Sequence, residues 1–169
     1  LKISTNWLQM EIELELQIRM SIPKRIGYLA GVFDYCHEGH INIIKKSLKK
    51  CDLLILAVVS DNYANQYKNQ RIKYNENQRV SMIKNLNLEM EIVIVDNNEH
   101  SPFYEKYGVT HIFHGTDWEK EPYIDFMGRE IIEKRRIEVV MLPHTPDISS
   151  TKIRESEQKH GKNENCTRS

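Results

Sequence analysis

Two histidines three residues apart, His37 and His40, carry the clearest chemical signal in the sequence. They close the run Gly31-Val32-Phe33-Asp34-Tyr35-Cys36-His37-Glu38-Gly39-His40, which leads from an apolar stretch into an amphipathic one. We expect a strand to end before this run and a helix to begin within it, with His40 in the first turn. The N–H groups and positive dipole end of a helix N-terminus favour an anion, and Gly39 leaves the backbone open to a phosphate. The two imidazoles could then stabilise charge that develops on a phosphoryl group.

The same pair of histidines allows two other interpretations. With Asp34 or Cys36 it could hold a metal ion, since histidine pairs often bind zinc. Either histidine could also simply cap the helix or lie on the surface. Because Gly39 and a helix start favour an anion, we predict phosphate binding and assign no metal ligand. The sequence contains no Walker loop, dinucleotide fingerprint or G-x-S-x-G segment, which leaves P-loop, NAD and serine-hydrolase chemistry without support.

Five apolar runs alternate with amphipathic segments, and these elements must position the histidines. The predicted strands are Arg25–Ala30, Leu53–Val59, Glu91–Val95, His111–His114 and Ile137–Leu142. The predicted helices are Gly39–Lys50, Asn75–Asn85, Pro102–Tyr107, Tyr123–Lys134 and Ser149–Glu155. This alternation predicts β-α-β units and a parallel sheet, in which ligands bind beyond the carboxyl ends of the strands. We therefore expect a site just after Ala30, Val59, His114 and Leu142.

The chain of 169 residues suits a single domain flanked by two appended segments. Residues 1–22 form an N-terminal appendage, which we interpret as a strand because apolar residues alternate strictly from Ile12 to Met20. Residues 23–155 form the folded domain. Residues 156–169 have almost no apolar side chains and are expected to be a disordered tail.

Composition excludes several classes of protein. Lys and Arg number 24 and Asp and Glu number 24, so the net charge of +0 argues against a nucleic-acid-binding protein. The longest apolar run, Leu53–Val59, is far shorter than the ~20 residues that span a bilayer, so we expect no membrane segment. Three scattered cysteines without C-x-x-C spacing indicate free thiols and a cytoplasmic location.

Four segments together resemble the cytidylyltransferase-like nucleotidyltransferases. The run that ends at His40 is similar to the family's Gly-x-Phe-Asp-x-x-His-x-Gly-His signature. Residues 68–79 resemble its lysine-bearing loop and the helix that follows. His114-Gly115-Thr116-Asp117-Trp118 and residues 143–153 resemble the Gly-Asp-Asp-Trp and Pro-Arg-Thr-x-Gly-Ile-Ser-Thr-Thr-Lys-Ile segments of the branch that acts on glycerol 3-phosphate. The resemblance covers about residues 24–155.

This resemblance implies a fold and a reaction. The fold is a doubly wound, five-stranded parallel sheet between two helical layers, a Rossmann-like α/β architecture, usually in a homodimer. The reaction moves CMP from CTP to a phosphorylated small alcohol, such as glycerol 3-phosphate, with release of pyrophosphate. The acceptor phosphate attacks the α-phosphorus in line, without a covalent intermediate, and Mg²⁺ enters with the triphosphate.

The resemblance also implies roles for individual residues. His37, His40 and Lys68 are the catalytic candidates, with Lys68 a mobile cation over the triphosphate. Arg79 is expected to order the lysine loop or contact a phosphate, unless it only pairs with Glu76. The remaining nucleotide-binding candidates are Val32, Phe33, Asp34, Gly39, Gly115, Asp117, His144, Thr145, Ser149, Ser150 and Thr151. The candidates for the acceptor pocket are Tyr35 and Trp118.

Two departures from the family pattern keep other functions open. His144 and Asp147 stand where the resembling segment has Arg and Gly, and a guanidinium binds phosphate more firmly than an imidazole. Gly128-Arg129-Glu130 is similar to adenylyltransferases of sugar phosphates. A nucleotide-binding protein with weakened catalysis is a further alternative. The lysine loop and Asp117-Trp118 favour the cytidylyltransferase.

Overall fold

The protein is described by a computed structural model, which covers residues 5–21, 24–67, 72–143, 151–153 and 155–156. Its centre is a five-stranded sheet in the order β3-β2-β1-β4-β5, with every pair parallel. The strands are β1 Ile26–Gly31, β2 Leu53–Val59, β3 Glu91–Val95, β4 His111–Gly115 and β5 Glu138–Leu142. This confirms the predicted doubly wound α/β class.

Seven α-helices connect or precede these strands in the described part of the chain, and a short 3-10 helix, Asp34–Cys36, precedes α2. The α-helices are α1 Thr5–Ser21, α2 Glu38–Leu48, α3 Asp61–Tyr67, α4 Glu76–Lys84, α5 Ser101–Tyr107, α6 Lys120–Met127 and α7 Arg129–Arg135. The sequence analysis missed α3 and merged α6 with α7. Gly128 separates these two helices with a φ angle of 99°, a conformation that glycine tolerates and that interrupts helical geometry.

The interpretation of the N-terminal segment as a strand was wrong, because residues 5–21 form the helix α1. Its glutamate, leucine, glutamine and methionine residues are strong helix formers, and strict alternation on a helix spreads apolar side chains around the axis. Side chains from Trp7 to Ile18 are accordingly exposed, by 74% at Trp7 and 51% at Ile18. No helix in the described ranges is long and apolar enough to cross a membrane.

The sheet separates two apolar cores, and the crossovers decide which helices cover each face. Leu29, Leu56 and Phe113 point to the face that Ile44 of α2 and Ile83 of α4 cover. Tyr28, Ile55 and Ile112 point to the opposite face, which is covered by α3, α5, α6 and α7. Strand order reverses between β1 and β4, the position at which doubly wound sheets place their ligands.

The second core contains buried polar groups. The Tyr28 hydroxyl and His100 Nδ1 lie 2.8 Å apart, and Tyr104 donates to Met127 O at 3.2 Å. Burial raises the pKa of Tyr28 and lowers that of His100 to about 4, because the interior disfavours the charged form of each ring. His100 is therefore neutral in the folded protein at physiological pH.

Candidate active site

The loop between β1 and α2 holds three residues in left-handed backbone conformations. The φ angles are 55° at Phe33, 66° at Tyr35 and 42° at Cys36. A residue with a Cβ adopts such angles at a cost of about 1 kcal/mol or more, so the surroundings must hold the loop. Phe33 is buried, and its ring lies edge-on to His40 with 5.3 Å between centroids. Backbone strain of this kind is typical of functional sites, and here it directly precedes His37.

His37 and His40 lie at the N-terminus of α2, as the sequence predicts. His37 is the N-cap residue, and its carbonyl accepts the hydrogen bond of Ile41 N at 3.1 Å. The two imidazole rings stack, with 3.8 Å between centroids and 19° between planes. Both residues are only partly buried, as is Gly39 between them. One anion at this helix terminus is therefore within reach of both rings and of backbone N–H groups of the first turn.

Asp34 ties this loop to the segment that precedes α4. Only 3% of its surface is exposed. Its carboxylate accepts Lys73 N at 3.2 Å and Tyr74 N at 3.3 Å. The carboxylate thus faces backbone amides of the protein and holds the β1–α2 loop to the segment before α4.

Arg79 is fully buried and faces the interior. Its guanidinium donates to Val32 O at 2.5 Å, to Val59 O at 2.8 Å and, through Nε, to Tyr74 O at 3.0 Å. The remaining nitrogen donates to Asp61 Oδ1 at 2.6 Å. The pairing considered with Glu76 is wrong, because Asp61 is the partner. Arg79 thus joins the ends of β1 and β2 to α4, and four of its five N–H groups are used within the protein.

Asp61 and Glu76 complete this set of contacts. The sequence analysis missed Asp61 and considered Glu76 only as a partner of Arg79. Asp61 N donates to Glu76 Oε2 at 2.9 Å, and Glu76 N donates to Asp61 Oδ2 at 3.1 Å. Each carboxylate therefore satisfies the N-terminus of the other residue's helix, α3 or α4. Asp61 could have been found, because it lies two residues after the end of β2, where ligands are expected in such a sheet. Nothing in the sequence links it to Glu76 or Arg79.

The end of β4 carries Gly115, Asp117 and Trp118. A Cβ at Gly115 would lie 2.5 Å from Asp117 Oδ1, so glycine is required for the carboxylate to fold back against the strand. The same Cβ would lie 3.7 Å from Ile43 of α2, one turn after His40, so β4 ends next to the helix of the histidine pair. His114 Nδ1 lies 3.6 Å from Asp117 Oδ1. Asp117 is therefore available at the same edge of the sheet as the histidines.

Trp118 belongs to an aromatic group at the protein surface. Its ring centroid lies 5.2 Å from that of Phe126 and 5.7 Å from that of Tyr123. Tyr123 is buried, whereas Trp118 is 42% exposed and Phe126 is 37% exposed. Trp118 thus packs and also presents a face to solvent, which leaves its predicted place in the acceptor pocket open.

The end of β5 also approaches α2. Lys46 Nζ donates to Pro143 O at 2.8 Å and so holds the chain where the last predicted motif begins. Thr151 is helical and exposed. The predicted site residues that lie outside the described residues are Lys68, His144, Thr145, Ser149 and Ser150, together with Asp147.

The described residues bring four predicted groups to one edge of the sheet: the β1–α2 loop, the histidine pair, Gly115 and Asp117. Val32 and Phe33 lie there with buried side chains, so only their backbone could meet a nucleotide. Within the described ranges, no three His, Cys, Asp or Glu side chains form a group that could hold a metal ion.

Comparison with known proteins identifies the family. The family model described as cytidylyltransferase-like matches residues 28–156. The chain is 32% identical over 127 residues to "Glycerol-3-phosphate cytidylyltransferase" of Staphylococcus aureus, a match that covers 74% of this chain and 89% of that protein. It is 29% identical over 131 residues to "Bifunctional protein HldE" of Desulfatibacillum aliphaticivorans, covering 77% of this chain and 26% of that protein.

A solved structure supports the fold. The lipopolysaccharide core biosynthesis protein from Thermoplasma volcanium superposes with a TM-score of 0.58 at 23% identity, covering 73% of this chain and 98% of that chain. The family match agrees with the parallel sheet and with the histidine pair at the helix start, both of which the sequence analysis associated with this family. The chain belongs to the cytidylyltransferase-like family and is a nucleotidyltransferase.

Proposed function

We propose that the protein transfers CMP from CTP to a phosphorylated small alcohol and releases pyrophosphate. The observation that carries this proposal is the stacked pair His37 and His40 at the N-terminus of α2, beside the point where strand order reverses. Imidazole and backbone N–H groups at this place suit an α-phosphate whose negative charge increases during substitution. Removal of one such donor typically costs ~3 kcal/mol, or roughly 100-fold in rate.

The proposed reaction is a single in-line displacement. An oxygen of the acceptor's phosphate forms a bond to the α-phosphorus of CTP while the bond from that phosphorus to the β-phosphate oxygen breaks. Pyrophosphate leaves with the electron pair of the broken bond. Because the acceptor phosphate is already an anion, it needs no strong general base, and the protein contributes mainly positioning and charge stabilisation.

We propose that Mg²⁺ enters as part of the nucleotide substrate. The described residues provide no cluster of three carboxylate or histidine ligands, so phosphate oxygens and water would supply most of its coordination. When bound, the ion neutralises part of the triphosphate charge. The histidine pair and the start of α2 contact the α-phosphate, and Lys68 is the mobile cation over the triphosphate.

The choice of CTP and of glycerol 3-phosphate as acceptor follows the resemblance of the segment around Asp117 and Trp118 and the 32% identity to the staphylococcal enzyme. Transfer of an adenylyl group to a sugar phosphate is the second candidate. The Gly128-Arg129-Glu130 segment supports this alternative only weakly. Gly128 has a structural role, since its positive φ angle separates α6 from α7. We further propose a homodimer located in the cytoplasm, for which light scattering should give twice the chain mass of 20.0 kDa.

The proposal is tested by pyrophosphate release from Mg²⁺–CTP or Mg²⁺–ATP across a panel of phosphorylated polyols, aminoalcohols and sugars. We expect release with CTP and at least one phosphorylated alcohol. The His40→Ala variant should melt at the wild-type temperature and lose at least ~100-fold in turnover. Release only with ATP and a sugar phosphate would favour the second candidate. Nucleotide binding without release from any acceptor would favour a protein with weakened catalysis.

A further inference from the structure

Lys73 lies over the rings of two tyrosines, one of which belongs to the loop before the histidine pair. Its Nζ is 5.3 Å from the ring centroid of Tyr35 and 5.7 Å from that of Tyr74. The two rings meet edge to face, with 5.6 Å between centroids and 87° between planes. Both distances are within the range of cation–π attraction, so the ammonium has a defined place although the residue is exposed.

The backbone of Lys73 is fixed to the same loop that carries the histidine pair. Its amide donates to Asp34 Oδ2 at 3.2 Å, and the next amide, of Tyr74, donates to Asp34 Oδ1 at 3.3 Å. Tyr35 stands two residues before His37, the N-cap of α2. Asp34 and Tyr35 thus hold the main chain and the ammonium of Lys73 against the β1–α2 loop, which leads directly into the histidine pair.

A triphosphate needs positive charge for its binding, and the Lys73 ammonium is a candidate to provide it. A nucleoside triphosphate is a polyanion, whereas the Arg79 guanidinium is buried and bonded to Asp61 and to carbonyl oxygens. His144 replaces the arginine of the resembling family segment. A lysine ordered in advance loses less side-chain entropy when it binds a phosphate than a freely rotating one does.

We propose that Lys73, ordered by Tyr35 and Tyr74, binds the β- and γ-phosphates of the nucleotide. This inference rests on the proposed function, since it concerns the same triphosphate. Lys73 thereby adds to the charge expected from Lys68, in a site with a histidine in place of the family arginine. It acts on nucleotide and pyrophosphate binding, not on the choice of acceptor.

Calorimetric titration of the full chain with Mg²⁺–CTP and with Mg²⁺–pyrophosphate tests this role. Lys73→Met should weaken the binding of both by roughly tenfold or more, because a charge-assisted hydrogen bond to phosphate is lost. Lys73→Arg should restore most of the affinity. Lys106→Met is the matched control: Lys106 Nζ lies 4.8 Å from the Tyr107 ring on α5, at the other end of the fold, and should leave binding unchanged.

Wild-type affinity in Lys73→Met, or no polyphosphate binding by the wild-type chain, would overturn the inference. A lower melting temperature with unchanged affinity would do so too, since it would show that Lys73 only packs on the tyrosines. The titration needs no acceptor and no turnover. Failure of pyrophosphate release with every nucleotide would therefore refute the proposed function separately, while the titration still decides the role of Lys73.

Discussion

Replacing Arg79 by methionine removes the group that joins the ends of β1 and β2 to α4, while its aliphatic stem is retained. The substitution deletes four hydrogen bonds, to Val32 O, Val59 O, Tyr74 O and Asp61 Oδ1. Two buried carbonyls lose this donor, at a cost of about 1–3 kcal/mol each. Breaking a fully buried ion pair costs about 3–5 kcal/mol, but the Asp61 side chain is 37% exposed, so water offsets part of that loss.

We therefore expect Arg79→Met to lower the free energy of unfolding by about 3–5 kcal/mol, a large fraction of the roughly 5–15 kcal/mol typical of a domain. Urea unfolding followed by circular dichroism measures this difference. The free energy of unfolding of Arg79→Lys should lie between those of the wild type and Arg79→Met. A single ammonium cannot replace a guanidinium that reaches Val32, Val59 and Asp61. Turnover should also fall by tenfold or more at a temperature where the variant is folded, by analogy with positioning residues whose small displacements are costly.

Arg129→Met is the matched control for this prediction. Arg129 also forms several ion pairs, to Glu121 at 2.9 Å, to Asp125 at 2.5 Å and to Glu133 at 3.5 Å, but on the exposed surface of α6 and α7. Solvent screening makes such pairs weak, so we expect no clear change in the unfolding midpoint. If Arg79→Met were no more destabilised than Arg129→Met, the description of Arg79 as the support of the site would be wrong.

Three further predictions concern the core, the appended helix and the end of β4. The pKa of His100 is lowered to about 4 in the folded protein, whereas the unfolded value is ~6.5. The free energy of unfolding should therefore be highest above pH 6.5 and fall by roughly 3 kcal/mol as the pH falls to 4. The His100→Gln variant should lack this part of the acid dependence in urea unfolding. Deletion of residues 1–21 should leave the melting temperature and turnover unchanged, since side chains from Trp7 to Ile18 are exposed; a lower melting temperature would show that α1 packs on the domain. Gly115→Ala should reduce turnover with little loss of melting temperature, because its Cβ displaces Asp117 Oδ1, 2.5 Å away; full activity would exclude that carboxylate from the reaction.

Much of the fold was predictable because its signals are local. The unbroken apolar run Leu53–Val59 predicts a strand covered on both faces, and it forms the buried β2 at the same bounds. The helix after Gly31 and the position of His40 in its first turn also followed from the sequence. The strict alternation in residues 12–20 misled, because period 2 predicts a strand only where a neighbouring strand is available to pair with it. Helix propensity decided the structure of this unpaired segment.

The frame of the candidate site was harder to predict, because it depends on contacts between residues distant in sequence. Arg79 meets Val32 across 47 positions and Asp61 across 18, and no local pattern encodes these partners. Asp34 was chosen for its motif, yet its carboxylate is used by the amides of Lys73 and Tyr74. Some residues of the motif that ends at His40 are thus proposed to contact the ligand, whereas others, such as Asp34, hold the β1–α2 loop in place.

A crystal structure of the protein with Mg²⁺–CTP tests the central claim most directly. The account predicts the α-phosphate at the N-terminus of α2, with its oxygens within hydrogen-bond distance, about 3 Å, of both His37 and His40. It also predicts that Lys73 approaches the outer phosphates. A triphosphate bound away from the histidine pair, with the imidazoles still stacked on each other and facing water, would contradict it.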